Sequence, residues 1–258
     1  MKRKILNCLK NLEKSEEIKI LYAVESGSRA WGFASQDSDY DIRFFYIHKP
    51  DWYLSILKKP DTIELVKDGI LDIAGWDFRK TLLLFFKSNP PLFEWLRSPI
   101  VYLKQTNSIQ EMQDISAIYF NNKSSMYHYL NMAKGNYREY LKGDTVWIKK
   151  YFYVLRPILA CEWIKDKKSI PPIEFKVLFE TQIKNKLIKI EIEKLLKMKV
   201  EGDELRKDNK IKIINDYIED RFVFFEKYLK NILSPGTQGL QELDQLFRKI
   251  LKDTWRKN

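Results

Sequence analysis

Apolar positions fall in two regimes along this chain. Over roughly the first hundred residues they gather in short runs or alternate with polar ones, and beyond that they recur every three or four residues through long segments. Lys19-Ile20-Leu21-Tyr22-Ala23-Val24 reads as a buried strand, and Tyr40–Ile47, rich in aromatic and β-branched residues, as a second. Thr62–Val66 and Leu71-Asp72-Ile73 read as two more, with residues 67–69 as a hairpin connection. Asp77 is placed to cap a helix over Phe78–Phe86, and Ile100–Leu103 reads as a last short strand after Ser98-Pro99. Helical periodicity then covers 108–142, 145–166, 173–199, 203–233 and 237–255, with breakers at Gly143, Pro171-Pro172, Gly202 and Pro235-Gly236. The pattern predicts an α/β (α+β) domain with a small mixed sheet over residues 1–105, followed by an all-α helical domain over 106–258.

Composition narrows the class. Hydrophobic residues are 45% and charged residues 31% of the 258, ordinary for a globular chain. The longest unbroken apolar run, Leu82–Phe86, is far short of the roughly 20 residues a membrane span needs, so no membrane partner is expected. The basic start Met1-Lys2-Arg3-Lys4 leads into apolar residues at amphipathic-helix spacing rather than into the apolar core of a signal peptide. Cys8 and Cys161 make neither a CxxC pair nor a disulfide framework, which suits a reduced, cytoplasmic protein. His48 and His128, the only 2 histidines, have no metal-type partner nearby in sequence, which argues against a zinc site or a Ser-His-Asp triad.

Net charge is +11, and it is uneven. Residues 1–105 hold 17 Lys/Arg against 14 Asp/Glu, leaving 29 against 21 for the rest of the totals of 46 and 35. Lys149-Lys150-Tyr151-Phe152-Tyr153 and the lysines from 184 to 199 mix positive charge with aromatic or aliphatic neighbours, as a nucleic-acid-binding surface does, although solvated helix faces give similar numbers. Nucleic acid is the expected macromolecular partner.

The candidate chemistry lies between residues 24 and 44. The strand ending at Val24 runs into Glu25-Ser26-Gly27-Ser28, where glycine permits a tight turn and a close backbone approach to an anion, and the Ser28 hydroxyl adds a donor. No Gly-Lys-Ser/Thr follows, so this is not a P-loop. Asp39 and Asp41 share one face if the strand from Tyr40 is extended, and two carboxylates so close repel unless a cation sits between them. Hard oxygen ligands suit Mg²⁺, which takes one or two carboxylates plus phosphate oxygens. The bland alternative is a solvated acidic turn. Arg29 and Arg43 would grip phosphate or pair with a carboxylate, and Arg156, inside an apolar helical run before Pro157, would serve a buried ion pair or a triphosphate or RNA contact.

Gly27-Ser28, ten intervening residues and Asp39-x-Asp41 resemble the signature of the DNA polymerase β nucleotidyltransferase superfamily. Gly-Ser-Arg-Ala-Trp-Gly (27–32), Ala74-Gly75-Trp76-Asp77, residues 88–96 and residues 153–160 are similar to a subgroup of predicted bacterial and phage nucleotidyltransferases, some encoded beside RNA ligases. The resemblance implies a third carboxylate on a later strand between apolar neighbours, a place that Asp72 fits with Glu64 as its rival, and that Asp39, Asp41 and Asp72 hold Mg²⁺ or Mn²⁺ and carry catalysis. It implies that Gly27, Ser28, Arg29, Arg43 and Arg156 bind a nucleoside triphosphate, ATP or CTP. The reaction expected is transfer of NMP to a hydroxyl, an RNA 3′ end first, with pyrophosphate released. A protein or small-molecule acceptor, or a non-catalytic nucleotide- or RNA-binding module, is the alternative.

Overall fold

The alternating run Tyr40–Ile47 forms the central strand, β2, of a five-stranded sheet in the computed structural model, which describes residues 1–67, 69–201, 207–232 and 239–256. The strand order is β3 (Thr62–Lys67), β4 (Leu71–Asp77), β2, β1 (Lys19–Glu25), β5 (Val101–Lys104). β2 and β4 run parallel and the other neighbours antiparallel, so the sheet is mixed, as the sequence pattern predicts. β3 and β4 pair as the hairpin reading requires, although Asp68 of their connection lies outside the described residues, as do Gly202, Pro235 and Gly236.

Period-two alternation sends the two sides of the sheet to different tasks. Ile42, Phe44 and Tyr46, with Leu71 and Ile73, pack into one cluster with Ile5, Cys8, Leu9 and Leu12 from a single stripe of α1 (Lys2–Ser15). On the opposite side Phe45 stacks on Tyr22 at 5.8 Å and on Trp95 at 5.7 Å, and Trp76 stacks on Trp95 at 3.7 Å. Asp41 and Arg43 lie four and two positions before Phe45, and thus on this second side. The short helices α2 (Gly27–Trp31) and α3 (Pro50–Tyr53) flank β2 in sequence. Asp77 caps α4 (Phe78–Phe86) as expected: it accepts the Arg79 N–H at 2.9 Å and the Tyr53 hydroxyl at 2.6 Å. α5 (Pro90–Leu96) opens with Pro90 behind an Asn89 cap.

The division into compact units departs from a single cut near residue 105. The sheet unit comprises residues 1–30 and 39–119 with the C-terminal segment that carries α12 (Gln241–Trp255), and the helical unit comprises 31–38 and 120–235. α6 (Ser108–Tyr119) and α12 belong with the sheet because their side chains do. Tyr119 packs on Phe85 and donates to Glu242 at 3.2 Å, and Phe247 meets Tyr53 edge-on at 5.1 Å.

The helical unit holds α7 (Asn122–Tyr140), α8 (Lys150–Lys167), α9 (Phe175–Gln182), α10 (Lys186–Val200) and α11 (Lys212–Asn231). Its core gathers Tyr129, Phe152, Leu155, Leu159, Phe175 and Phe225 among others. Two predicted helical segments are in fact broken by caps that periodicity does not register. Asn121 accepts the Ser124 N–H at 3.0 Å to start α7, and Asn185 accepts the Leu187 N–H at 2.9 Å to start α10. Residues 145–147 form β6 (Thr145–Trp147), paired with β7 (Lys207–Asn209), because a partner far along the chain supplies the ladder. Among the described residues no helix is long and apolar enough to cross a membrane.

His48 is a packed ring: it lies flat on Trp52, centroids 4.0 Å apart. Burial, helped by the charge of Lys59, lowers its pKa from 6.5 to about 4. The folded chain therefore keeps the imidazole neutral while the unfolded chain protonates it between those values. Its contribution to stability is complete above pH 6.5 and is lost as pH falls to about 4. We expect the stability of the wild type to drop more between pH 7 and pH 4 than that of His48→Phe, a difference that urea unfolding at a series of pH values reads directly.

Candidate active site at the head of strands β2 and β4

Parallel pairing of β2 with β4 sets Tyr40 opposite Leu71, Asp41 opposite Asp72 and Arg43 opposite Ala74. Two carboxylates from segments 31 residues apart are thereby placed abreast, on the face where Phe45 and Trp76 continue the two rows. Ala74 is small, which leaves room above it for the arginine beside it. Arg43 Nη2 donates to Asp41 Oδ1 at 3.1 Å and to Asp72 Oδ2 at 2.7 Å, while Nη1 donates to the Asp72 carbonyl at 3.0 Å. One guanidinium thus bridges the acid pair and adds a backbone bond to β4. Of the two sequence alternatives for Arg43, the structure displays carboxylate pairing.

Glycine is required at position 27. It has φ +58°, and a Cβ there would fall inside the Asp41 carboxylate, well within van der Waals contact. The Ser26 N–H donates to the Asp41 carbonyl at 2.8 Å, so the turn after β1 is sewn to the start of β2. Ser28 follows in the first turn of α2, where the leading N–H groups have no intrahelical acceptor. Arg29 Nε donates to the Asp39 carbonyl at 3.1 Å, and its guanidinium lies 3.7 Å from the Tyr40 ring centroid. Asp39 is exposed just before β2, close enough for its charge to act on Asp41.

Burial raises the Asp41 pKa, Arg43 pulls it back, and Asp72 and Asp39 push it up again. The site concentrates more negative charge than one arginine neutralises. Glu64 lies on the edge strand opposite Ala74, one strand farther from Asp41, whereas Asp72 is directly beside it. Arg156 belongs to the helical unit, where it is buried, packs 4.7 Å over Trp31 and donates from Nε to the Ile173 carbonyl at 3.3 Å.

Sequence reasoning missed Glu25. It is fully buried, and its Oε1 accepts the Asp41 N–H at 2.7 Å while the Tyr102 hydroxyl donates to Oε2. The Ser98 hydroxyl donates to the Glu25 carbonyl at 2.5 Å, and the Glu25 N–H donates to the Ile100 carbonyl at 2.9 Å. Burial raises its pKa against those two side-chain bonds. Its only signal in the sequence is a carboxylate closing an otherwise apolar strand.

The donor set fits a hard divalent cation in kind: carboxylate oxygens on a rigid sheet, already gathered around a positive charge. Among the described residues no group of three His, Cys, Asp or Glu side chains is closed into a metal cage, since Asp41 and Asp72 are drawn onto Arg43. Gly27→Ala should cost about 1–3 kcal/mol in urea unfolding, from the positive φ and the displaced Asp41. Arg43→Ala removes the bridging charge from a partly exposed pair and should cost about 1–2 kcal/mol. In a thermal melt, added Mg²⁺ should raise the Tm of Arg43→Ala more than that of the wild type.

A model of the RlaP family, described as the RNA repair pathway DNA polymerase beta family, matches residues 1–249. A protein of Bacillus subtilis (strain 168) described as "Uncharacterized protein YcgL" is 45% identical over 256 residues, covering 99% of this chain and 98% of that one. A crystal structure of a nucleotidyltransferase-like protein from Exiguobacterium sibiricum 255-15 aligns with 89% of this chain and 74% of its own at 10% identity, with a TM-score of 0.32, too low to define a common fold. The Gly-Ser turn set against Asp41, the acid pair on β2 and β4 and a family match over nearly the whole sequence agree: this chain belongs to the RNA repair pathway DNA polymerase beta family, RlaP.

Proposed function

We propose that this chain is a Mg²⁺-dependent nucleotidyltransferase that moves NMP from a nucleoside triphosphate, ATP or CTP, to the 3′ hydroxyl of an RNA. The observation that carries the reading is Asp41 abreast of Asp72 with Gly27 packed against the Asp41 carboxylate. The RNA repair context of the family supports RNA as the acceptor.

In this reading the acceptor oxygen attacks the α-phosphorus, the bond from that phosphorus to the bridging oxygen of the β-phosphate breaks, and pyrophosphate leaves. The acceptor's proton passes to a carboxylate oxygen of Asp72, the more open member of the pair. A divalent cation held by Asp39, Asp41 and Asp72 would lower the pKa of the acceptor hydroxyl and neutralise charge on the leaving pyrophosphate. The protein's own part is placement. The Gly27-Ser28 backbone and hydroxyl present donors to the terminal phosphates. Arg29, fixed over Tyr40, supplies positive charge that needs no reorganisation, and Arg43, which yields the two carboxylates as the cation binds, brings a second positive charge to the phosphates. Glu25 holds the Asp41 backbone in register, so that the carboxylate does not drift from its partner.

The test is incubation with each α-³²P-labelled NTP, Mg²⁺ and cellular RNA, beside Asp39→Asn and Asp41→Asn. Label should enter RNA with the wild type and fall at least about 100-fold in either variant, the scale on which transition-state electrostatics are lost. Label on protein, or equal label from the variants, overturns the proposal.

A further inference from the structure

α8 is the central helix of its unit, and from Tyr151 to Glu162 every residue but one is buried. The exception is Tyr153, 37% exposed. Of the basic-aromatic run 149–153, Tyr151 and Phe152 are core residues, and Tyr151 spends its hydroxyl on Asn215 at 2.6 Å. Only Lys149, Lys150 and Tyr153 are left at the surface of that run. Lys150, Tyr153 and Arg156 are three apart, and so lie on one face of the helix.

Aromatic rings and cations alternate across that face. Lys150 Nζ lies 3.9 Å from the Tyr140 ring centroid and 4.9 Å from that of Tyr153. The Tyr153 ring meets Trp31 at 5.5 Å and 70°, and Arg156 lies over Trp31 at 4.7 Å. Trp31 packs on Phe33 at 5.8 Å, and Phe33 on Phe152 at 4.8 Å, so the rings at the surface are backed by the core and stand in fixed positions. Lys149 beside Lys150 adds a second ammonium, which lowers the Lys150 pKa further than burial alone. Glu139 is bonded to the Tyr140 hydroxyl at the rim. The rival basic block on α10 is partly neutralised: Lys194 pairs with Glu191 at 2.7 Å, Lys197 lies 3.9 Å from Glu201, and Lys199 is buried on Ser38.

We propose that Tyr153, flanked by Tyr140 and Trp31, is a stacking platform for an unpaired base of the RNA acceptor, with Lys149 and Lys150 taking the adjacent phosphate. The chemistry is that of single-strand recognition: a planar face that accepts any base, beside a cation for the backbone. Arg156 acts here as a positioning residue that holds Trp31. This proposal rests on RNA being the acceptor, and it assigns that RNA a contact in the helical unit.

The experiment uses the full chain carrying Asp39→Asn/Asp41→Asn, so that binding is read without turnover. Two fluorescein-labelled single-stranded RNA oligonucleotides are compared by anisotropy, one containing 2-aminopurine and one with an abasic residue in its place. We expect the base-containing strand to bind roughly ten-fold tighter and its 2-aminopurine emission to be quenched. Tyr153→Ala should abolish both the ratio and the quenching, Tyr153→Phe should keep them, and Lys149→Ala/Lys150→Ala should weaken both strands alike and flatten the salt dependence. Equal binding of the two strands, or a ratio untouched by Tyr153→Ala in a variant whose melting curve matches the parent, overturns the platform. Label transfer that survives in the wild type under that result leaves the proposed activity standing, whereas a ratio abolished by Tyr153→Ala without any transfer to RNA overturns the activity alone.

Discussion

The register of β2 against β4 is the constraint on which the rest of this site depends. A parallel pair carries no turn of its own, and here it is reached through α3 and the β3 hairpin strand, so its alignment is fixed by the packing of both strands rather than by a loop. Ile42, Phe44, Leu71 and Ile73 fill the α1 side, and a slip of one residue would exchange them with Asp41, Arg43 and Asp72. Burying three charged groups against Leu9 and Leu12 is so unfavourable that the hydrophobic side holds the acidic side in place.

Arg43 completes that arrangement. Two carboxylates brought abreast, one of them mostly buried, repel each other, and the guanidinium between them satisfies an oxygen on each and a carbonyl of β4. Glu25 acts from the other side, on the backbone of Asp41 rather than its charge. The carboxylate is therefore set by three neighbours of different kinds: a cation, a buried acceptor for its N–H, and a glycine that leaves room for it. A carboxylate held in this way has little freedom to drift, which is what the proposed phosphoryl-type transfer would ask of it.

The helical unit is organised by a different rule. Its longest apolar run, α8, is surrounded on nearly every side, so position along the helix says little about burial and the exposed Tyr153 becomes informative. Lysines illustrate the same point: Lys150 is held between two aromatic rings, while Lys199 sits inside the unit on Ser38. Charge along the chain offered both stretches as nucleic-acid contacts, and only their surroundings separate them.

Local physics was legible in the sequence. Aromatic and β-branched richness identified β2, two short runs around a hairpin connection identified β3 and β4, Asp77 announced α4, and the Gly-Ser turn followed at a fixed distance by Asp-x-Asp pointed to the superfamily. Each of these depends on neighbours within a few residues, which the sequence states directly. The tertiary structure decided what depends on distant partners: that Asp72 rather than Glu64 stands beside Asp41, that Arg43 bridges them, that Glu25 is buried beneath, and that α6 and α12 join the sheet. It also turned residues 145–147 into a strand, since a ladder partner 60 residues away outweighs local periodicity. The division has one physical cause, because propensity, capping and alternation act through the adjacent backbone, whereas strand register and burial are set only when segments far apart in sequence compete for the same space.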